Sequence, residues 1–336
     1  MLRPGYNMNL PDPTWQVPQP QGQLLQGQSD EDGHGTAMAG CVMGQYAGVD
    51  KNAAVVSIKL FTNTNNDNSE ANSWGISKAF TTILIDMLAN NVPEGVVSMS
   101  FGCLQSSFVP LGSGQTPAQA DPFPRLLSLV HGGLVAVTSS GNEAIRGNFL
   151  TDETPRCHGG PLPDNNQMIV VGAADYNGRR AAFSTYLNPV GENILTVYGP
   201  GVEVISADYL VDDAWSITSG SSHATAQVAA IVAGYLKNVP GVNVNNVKQY
   251  LIDQSVMLKG LNFAVDDPRF PPHPRVGVAS QIACTPIDTN NVPTATQPPT
   301  FPTAANFFAD AVFSSAVTVG VLVRYTKTMV FPDIPC

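Results

Sequence analysis

The chain has 336 residues, of which 43% are hydrophobic and only 12% are charged. An apolar share of this size is enough to bury a large core and excludes an intrinsically disordered chain. The formal charge of −10 leaves no basic patch that could neutralise phosphates, so we expect no nucleic acid as a partner.

The first thirty residues are rich in Pro and Gln and predict an extended loop. They contain no apolar segment of the kind that signal peptides carry. Beyond them, short runs rich in β-branched residues alternate with helical patterns, which predicts an α/β domain with a mostly parallel sheet and helices on both faces. The strand-like runs lie at 55–60, 96–100, 134–137 and 168–171, and the helical patterns at 34–45, 72–90, 123–131, 222–237 and 244–254.

The composition changes after this alternating part, which suggests three regions. We expect a domain over residues 1–283, a Pro/Thr-rich linker over 284–303 and a tail of unknown role over 304–336. Residues 304–323 are the only membrane candidate. Because they contain Asp310 and their continuous apolar part is too short to span a bilayer, we expect no membrane role.

Five cysteines are an odd number, and no two of them form a CxxC pair. This pattern argues against a metal cluster, and the sequence does not say which disulfides form. Cys41 lies on an apolar helical pattern and is expected to act as a small buried hydrophobe.

A histidine opens the first predicted helix, within the sequence DGHGTAMAG from Asp32 to Gly40. The glycines on either side of His34 allow other backbone to come close to it. By itself the motif fits a reactive imidazole, and it fits a solvated histidine at a helix start equally well.

The loop 139–143 directly follows the apolar run LVAVT. Open α/β sheets bind ligands at the carboxyl ends of their strands, and an asparagine there can direct its amide at developing negative charge. Asn142 is therefore a candidate oxyanion donor, with an ordinary Asx turn as the alternative.

Two adjacent serines, Ser221 and Ser222, open a long helical pattern made almost entirely of Ala, Val, Ile and Gly. A serine at this point lies beside free backbone N–H groups and the positive end of the helix dipole. Helix capping is the alternative role. Because so apolar a helix is expected to be buried, a polar serine at its start favours a nucleophile over a surface cap.

Taken together, His34, Asn142 and Ser222 occur in the order that resembles the subtilisin-like serine peptidases, or subtilases. The histidine motif H-G-T-x-x-A-G matches residues 34–40, the oxyanion motif S-G-N matches 140–142, and the serine motif G-[ST]-S-x-A matches 220–224. Residues 98–102 look like the substrate-binding strand of that family. Its later signatures are matched at 171–173, 182–184 and 199–201.

The resemblance implies a three-layer subtilisin-like fold and a serine endopeptidase activity. It assigns Ser222 as the nucleophile and His34 as the general base and acid. Asn142 would stabilise the oxyanion together with the backbone N–H of Ser222. Substrate binding would fall to Ser100, Phe101, Gly102 and Gly141.

The same resemblance implies a polypeptide substrate and an extracellular location, and we expect a monomer. It assigns no cofactor and no metal ligand to this sequence, although calcium is possible in such proteins. His223, next to the nucleophile, is expected at the rim of the pocket, because adjacent positions on a helix face different ways.

The aspartate of the family's triad has no match. It should end the first buried strand in Asp-[ST]-Gly, but residues 5–11 look like the segment after that motif, so its place falls on Arg3. Asp12 and Asp32 are not expected to orient the imidazole, and Asp32 has a structural role in this interpretation. We therefore expect the first strand and the carboxylate to be missing, as in a truncated or mis-started form of a longer precursor.

Two other functions remain open at this stage. One is a catalytically impaired relative, either a pseudoenzyme or a peptide-binding module, because the aspartate is absent. The other is an esterase of the α/β-hydrolase type, which needs G-x-S-x-G and a later histidine. Residues 220–224 fail that motif, and only His273, in a Pro-rich loop, could supply the later histidine, so the sequence argues against the esterase.

Overall fold

A computed structural model describes thirteen parts of the chain. The predicted helix at 123–131 and the predicted linker at 284–303 lie outside them, and the division into three regions stays a prediction. The described residues are 2–7, 30, 32–45, 47–60, 73–104, 133–143, 153–159, 168–175, 179–185, 194–210, 214–257, 281–282 and 320–325.

A nine-stranded sheet forms the centre of the described structure, with strand order β1-β2-β13-β3-β5-β7-β8-β12-β11. The four runs that were predicted as strands fall on β2, β3, β5 and β7. In chain order the strands are β1 (Leu2–Asn7), β2 (Ala53–Lys59), β3 (Gly95–Met99), β4 (Cys103–Leu104), β5 (Leu134–Ser139), β6 (Glu153–Thr154), β7 (Ile169–Ala174), β8 (Val197–Pro200), β9 (Val204–Ala207), β10 (Trp215–Thr218), β11 (Val256–Met257), β12 (Gln281–Ile282) and β13 (Gly320–Tyr325).

The strands β3, β5, β7 and β8 are parallel neighbours. Every residue of β3, β5 and β7 is buried, because successive side chains point to opposite faces and helices cover both. Because parallel strands all end at the same edge, the loops after β3 and β5 lie side by side there.

Within the described ranges, four α-helices pack on the two faces of the sheet. One face carries α1 (His34–Met43), α3 (Ser221–Asn238) and α4 (Val247–Asp253), and α2 (Ser73–Ala89) covers the other. The predicted helices at 34–45, 72–90, 222–237 and 244–254 are confirmed. So is the three-layer α/β arrangement with a mostly parallel sheet.

The long helix α3 positions the site. It is buried from Ser221 to Tyr235, and it crosses β3, β5, β7 and β8 while packing against α1. Its Ala and Gly residues permit this close approach to the sheet, because they carry almost no side chain. Cys41 of α1 is fully buried in the same layer, and burial raises the pKa of its thiol to about 12, as befits a buried hydrophobe.

Two strands at the ends of the chain depart from expectation. Leu2–Asn7 is not loop but the strand β1, which pairs in parallel with β2. Gly320–Tyr325, from the tail, forms β13, which lies antiparallel between β2 and β3 and pairs with both. The interpretation of the first thirty residues as loop is therefore wrong for residues 2–7. Among the described residues, no helix is both long enough and apolar enough to cross a membrane.

Candidate active site

Ser222 lies in the first turn of α3, where the backbone N–H groups have no partners from a preceding turn. The turn is fixed from outside the helix, because the N–H of Gly220 donates to the carbonyl of Gly201 over 2.8 Å. The hydroxyl of Ser100 donates to the carbonyl of Ser222 over 3.2 Å. These contacts hold Ser222, which is only 9% exposed, at the carboxyl edge of the sheet.

Asn142 reaches the same helix start from the loop after β5. Its Oδ1 accepts a hydrogen bond of 2.8 Å from the backbone N–H of Ser221, which fixes the orientation of the carboxamide. Gly141, just before it, has a φ of 100°, a backbone conformation that a residue with a side chain rarely adopts. The Nδ2 of Asn142 is thereby held next to the turn that carries Ser222, where it can donate to negative charge.

His34 is the first residue of α1, and a buried carboxylate builds the turn before it. Asp30 accepts hydrogen bonds from the N–H groups of Gly33 (2.7 Å) and Thr36 (2.9 Å) and from the hydroxyl of Thr36 (2.6 Å). It also accepts one from the N–H of Asp32. Gly33 has a φ of 89°, so this tight turn requires glycine there. Asp30 thus does the work of a helix cap from four residues before His34.

Burial favours the uncharged form of the His34 imidazole. Burial lowers its pKa below the ordinary value, and the negative charges of Asp32 and then Asp30 oppose that effect only in part. A neutral imidazole is the form that can accept a proton from a hydroxyl group.

His34 and the start of α3 lie at the same end of the molecule. Helix α1 packs against α3. His34 lies close enough to His223, the residue after the nucleophile candidate, that a positive charge on His34 lowers the pKa of His223. Burial, and secondarily His34, lowers the pKa of His223 to about 4. The structure therefore brings His34, Asn142 and Ser222, three residues that are far apart in sequence, to the same edge of the sheet.

His223 itself is only 5% exposed, so it is buried and not at an open rim. Its Nε2 shares a hydrogen bond with the hydroxyl of Thr218. In the described part of the chain, its Nδ1 has no hydrogen-bond partner.

Within the residues that the structure describes, no carboxylate is hydrogen-bonded to the His34 ring. Asp32 accepts a hydrogen bond of 3.2 Å from the backbone N–H of His34, so its contact with that residue is through the main chain. This agrees with the structural role that the sequence suggested for Asp32. Asp12 lies outside the described residues.

The predicted substrate-binding residues follow β3 and border the same edge. Ser100 contacts Ser222 as described, Phe101 is half-buried against the layer of α2, and Gly102 is exposed. Gly141, from the loop after β5, completes the group, and its carbonyl accepts a hydrogen bond of 3.1 Å from the N–H of Thr185.

Sequence reasoning missed one single residue and one cluster of residues. Asp30 could have been found, because an aspartate shortly before a helix start is a recognised capping signal. The second is an ion cluster beneath the loops after β3 and β5, made of Glu143, Glu153 and the buried Arg156. Glu153 and Arg156 lie three positions apart and can meet locally, but nothing in the sequence predicts that Glu143 joins them.

The described residues do not offer a metal centre. No three His, Cys, Asp or Glu side chains in this part of the chain are grouped so that they could hold a metal ion. Calcium therefore remains an expectation from the resemblance alone.

Comparison with known proteins agrees with this geometry. The model of the subtilase family matches residues 12–284. Subtilisin-like protease 2 of Pseudogymnoascus destructans is 30% identical over 243 residues, which are 72% of this chain and 50% of that protein. The alkaline extracellular protease of Yarrowia lipolytica is 29% identical over 206 residues, which are 61% of this chain and 40% of the relative. The chain thus spans about half the length of the curated relatives it matches.

A solved structure, that of a cold-adapted subtilisin-like serine proteinase, matches the fold with a TM-score of 0.54. The match covers 77% of each chain at 21% sequence identity, so it supports the subtilisin-like fold alone. The family match covers most of the chain, including all three candidate residues and the strands that position them. The chain belongs to the subtilase family.

Proposed function

We propose that this chain is a serine endopeptidase that cleaves polypeptides through Ser222 and His34, with Asn142 as an oxyanion donor. The observation that carries the proposal is the position of Ser222 at the start of the buried helix α3, directly beside the fixed carboxamide of Asn142. The relatives named as proteases support the reaction class.

In the proposed reaction, the neutral imidazole of His34 takes the proton of the Ser222 hydroxyl while Oγ attacks the peptide carbonyl carbon. The carbonyl oxygen becomes negatively charged and receives hydrogen bonds from Nδ2 of Asn142 and the N–H of Ser222. The C–N bond then breaks as His34 returns the proton to the leaving amine. Water repeats the two steps and hydrolyses the ester on Ser222.

The substrate backbone would pair with residues 100–102 as an added strand. This segment continues directly from the buried strand β3. The hydrogen bond from Ser100 to the carbonyl of Ser222 fixes the position of the segment relative to the nucleophile. Pairing through the main chain would provide affinity for many sequences. An extracellular location follows by analogy with the alkaline extracellular protease, and we propose a monomer.

Reaction with a small fluorophosphonate probe tests the proposal, because such probes phosphonylate only an activated serine. We expect Ser222 to be labelled, and labelling to disappear in Ser222→Ala and to fall strongly in His34→Ala. Ser219→Ala is the matched control, since this serine of the same loop is exposed and its hydroxyl oxygen accepts a hydrogen bond from the N–H of Glu203. A folded chain that is not labelled would contradict the proposal.

A second candidate is a subtilase relative that binds peptides without cleaving them. It is favoured by one observation: among the described residues, no carboxylate is hydrogen-bonded to the His34 ring. Without an orienting carboxylate, the rate of a subtilisin-type site falls by about four orders of magnitude. Binding of unlabelled peptides by a chain that no probe labels would favour this candidate.

A further inference from the structure

We propose that the groove beside Ser222 selects a basic side chain, lysine or arginine, on the substrate residue whose carbonyl is attacked. The determinant is the ion cluster of Glu143, Glu153 and Arg156. This inference rests on the proposed function, because it takes from it the place of the scissile carbonyl, and it names the substrate class of that same site.

The walls of the proposed groove are two backbone segments beside Ser222, residues 100–102 after β3 and residues 140–143 after β5. Ser100 is tied to the carbonyl of Ser222, and Asn142 is tied to the N–H of Ser221, so both walls flank the nucleophile. A substrate carbonyl placed at Ser222 therefore directs its own side chain into the space between these walls.

The ion cluster lies directly beneath both walls. A Cβ atom on Gly102 would lie 2.8 Å from Oε2 of Glu153 and 3.3 Å from Nη2 of Arg156. A Cβ atom on Gly141 would collide with Oε2 of Glu143 and Nη1 of the same arginine. Because neither glycine has a side chain, the charged cluster packs directly against both backbone segments.

The cluster presents more negative than positive charge to the groove. The Arg156 side chain is only 3% exposed and forms ion pairs with both glutamates, the one to Glu143 at 3.9 Å. The Glu143 side chain is 37% exposed and the Glu153 side chain 13%, so both carboxylates are more accessible to solvent than the guanidinium of Arg156. The hydroxyl of Thr185 donates to Oε2 of Glu143 over 3.0 Å and holds this carboxylate in place.

A large apolar side chain against this cluster would remove water from the carboxylates and return no hydrogen bond. Such loss of hydration is costly, and a site built around polar groups rejects a ligand that cannot pair with them. An ammonium or guanidinium group would instead supply the second cation that two carboxylates can accept. Selectivity for basic side chains follows from this asymmetry.

Peptide binding by the Ser222→Ala chain tests the inference without requiring catalysis. Two fluorescein-labelled tetrapeptide amides, identical except for a last residue of lysine or norleucine, are titrated by fluorescence anisotropy. We expect the lysine peptide to bind about 10- to 100-fold more tightly, the range for a hydrogen bond to a charged group. Glu143→Gln and Glu153→Gln should each reduce that ratio, whereas Asp253→Asn, an exposed acid on α4 that loses the same charge, should leave it unchanged.

Equal binding of the two peptides, tighter binding of the norleucine peptide, or no binding of either one overturns the inference. Glu143→Gln keeps the test decisive if loss of the better buried Glu153 prevents folding. Fluorophosphonate labelling of the unsubstituted chain is measured separately. Lysine preference without labelling would refute the proposed hydrolysis and leave the inference standing, and labelling without lysine preference would do the reverse.

Discussion

Helices α1 and α3 both begin at the candidate active site, but their first turns are held in different ways. The turn before His34 is closed by Asp30, which lies within six residues of every group it binds. The turn before Ser222 is held by Asn142, 79 positions from its partner Ser221, and by the carbonyl of Gly201.

The positions of the two candidate catalytic groups therefore depend on different contacts. The base stands on a self-contained turn whose geometry is set locally by a buried carboxylate. The nucleophile lies where the start of α3 contacts the loops that contain Asn142 and Gly201, and we call this meeting of segments the junction. The position of Ser222 is correct only when these loops are in place at the sheet edge. Changes in the loop after β5 should therefore disturb Ser222 and leave His34 in place.

Asp30→Ala should give the largest effect, because it removes the anchor of the self-contained turn. Two buried N–H groups, the partly buried N–H of Asp32 and one hydroxyl group lose their acceptor, and we expect the free energy of unfolding to fall by about 3–5 kcal/mol. Urea unfolding measures this. Asp208→Ala is the control, since that carboxylate accepts a hydrogen bond from Leu210 in an exposed turn. Equal losses in the two variants would refute the anchoring role of Asp30.

Asn142→Asp should isolate the oxyanion donor from the junction that holds Ser222. An aspartate can still accept the hydrogen bond from Ser221 but has no N–H to donate, so we expect fluorophosphonate labelling to slow by about 10²- to 10³-fold. Asn142→Ala should slow it similarly and also lower the free energy of unfolding by about 1 kcal/mol, because the junction loses its hydrogen bond. An Asp variant that is labelled at the normal rate would contradict the donor role.

Acid should destabilise the junction more than the anchored turn, through His223. The pKa of His223 is about 4 in the folded protein, against an ordinary value of 6.5. Between these two values the unfolded chain binds one more proton at this residue, so the free energy of unfolding falls as pH falls, by at most about 3 kcal/mol. The lowered pKa of His34 adds a loss in the same direction.

Urea unfolding of the unsubstituted chain and of His223→Gln, each at pH 7 and pH 4.5, checks this expectation. The variant should lose part of the pH dependence and keep the part that His34 supplies. Identical pH dependence in the two proteins would show that His223 does not titrate as its burial implies.

Much of the scaffold could be predicted from sequence, because its elements form from neighbouring residues. Continuous apolar runs such as Val96 and Val97 in β3 are typical of strands buried on both faces, and the Ala-rich pattern of α3 indicated a buried helix. The motifs around His34 and Ser222 begin their helices, so local pattern located them as well. These are the parts whose position depends little on distant contacts.

The features that were missed depend on pairings across the chain. β13 lies between two strands more than 200 positions earlier, and its short apolar run gave no sign of where it would pair. Arg156 lies three positions after Glu153 and can meet it locally, but its ion pair with Glu143 joins two loops in a contact that no local pattern specifies. Glu143 follows the recognised oxyanion motif directly, yet its role is defined by an arginine thirteen positions later.

The smallest effect should come from Asp32→Asn, which changes the charge near the anchored turn and keeps its shape. Asp32 raises the pKa of His34 against the larger effect of burial, so removing its charge should lower that pKa further. The acid limb of the labelling rate, which follows deprotonation of His34, should then move to lower pH. High salt should move the limb of the unsubstituted chain in the same direction, because Asp32 is exposed and salt screens its charge. Asp253→Asn should leave the limb in place. If the acid limb of the labelling rate does not move in Asp32→Asn, this turn positions the imidazole of His34 without changing its pKa. The anchored turn would then differ from the junction at Ser222 in geometry alone.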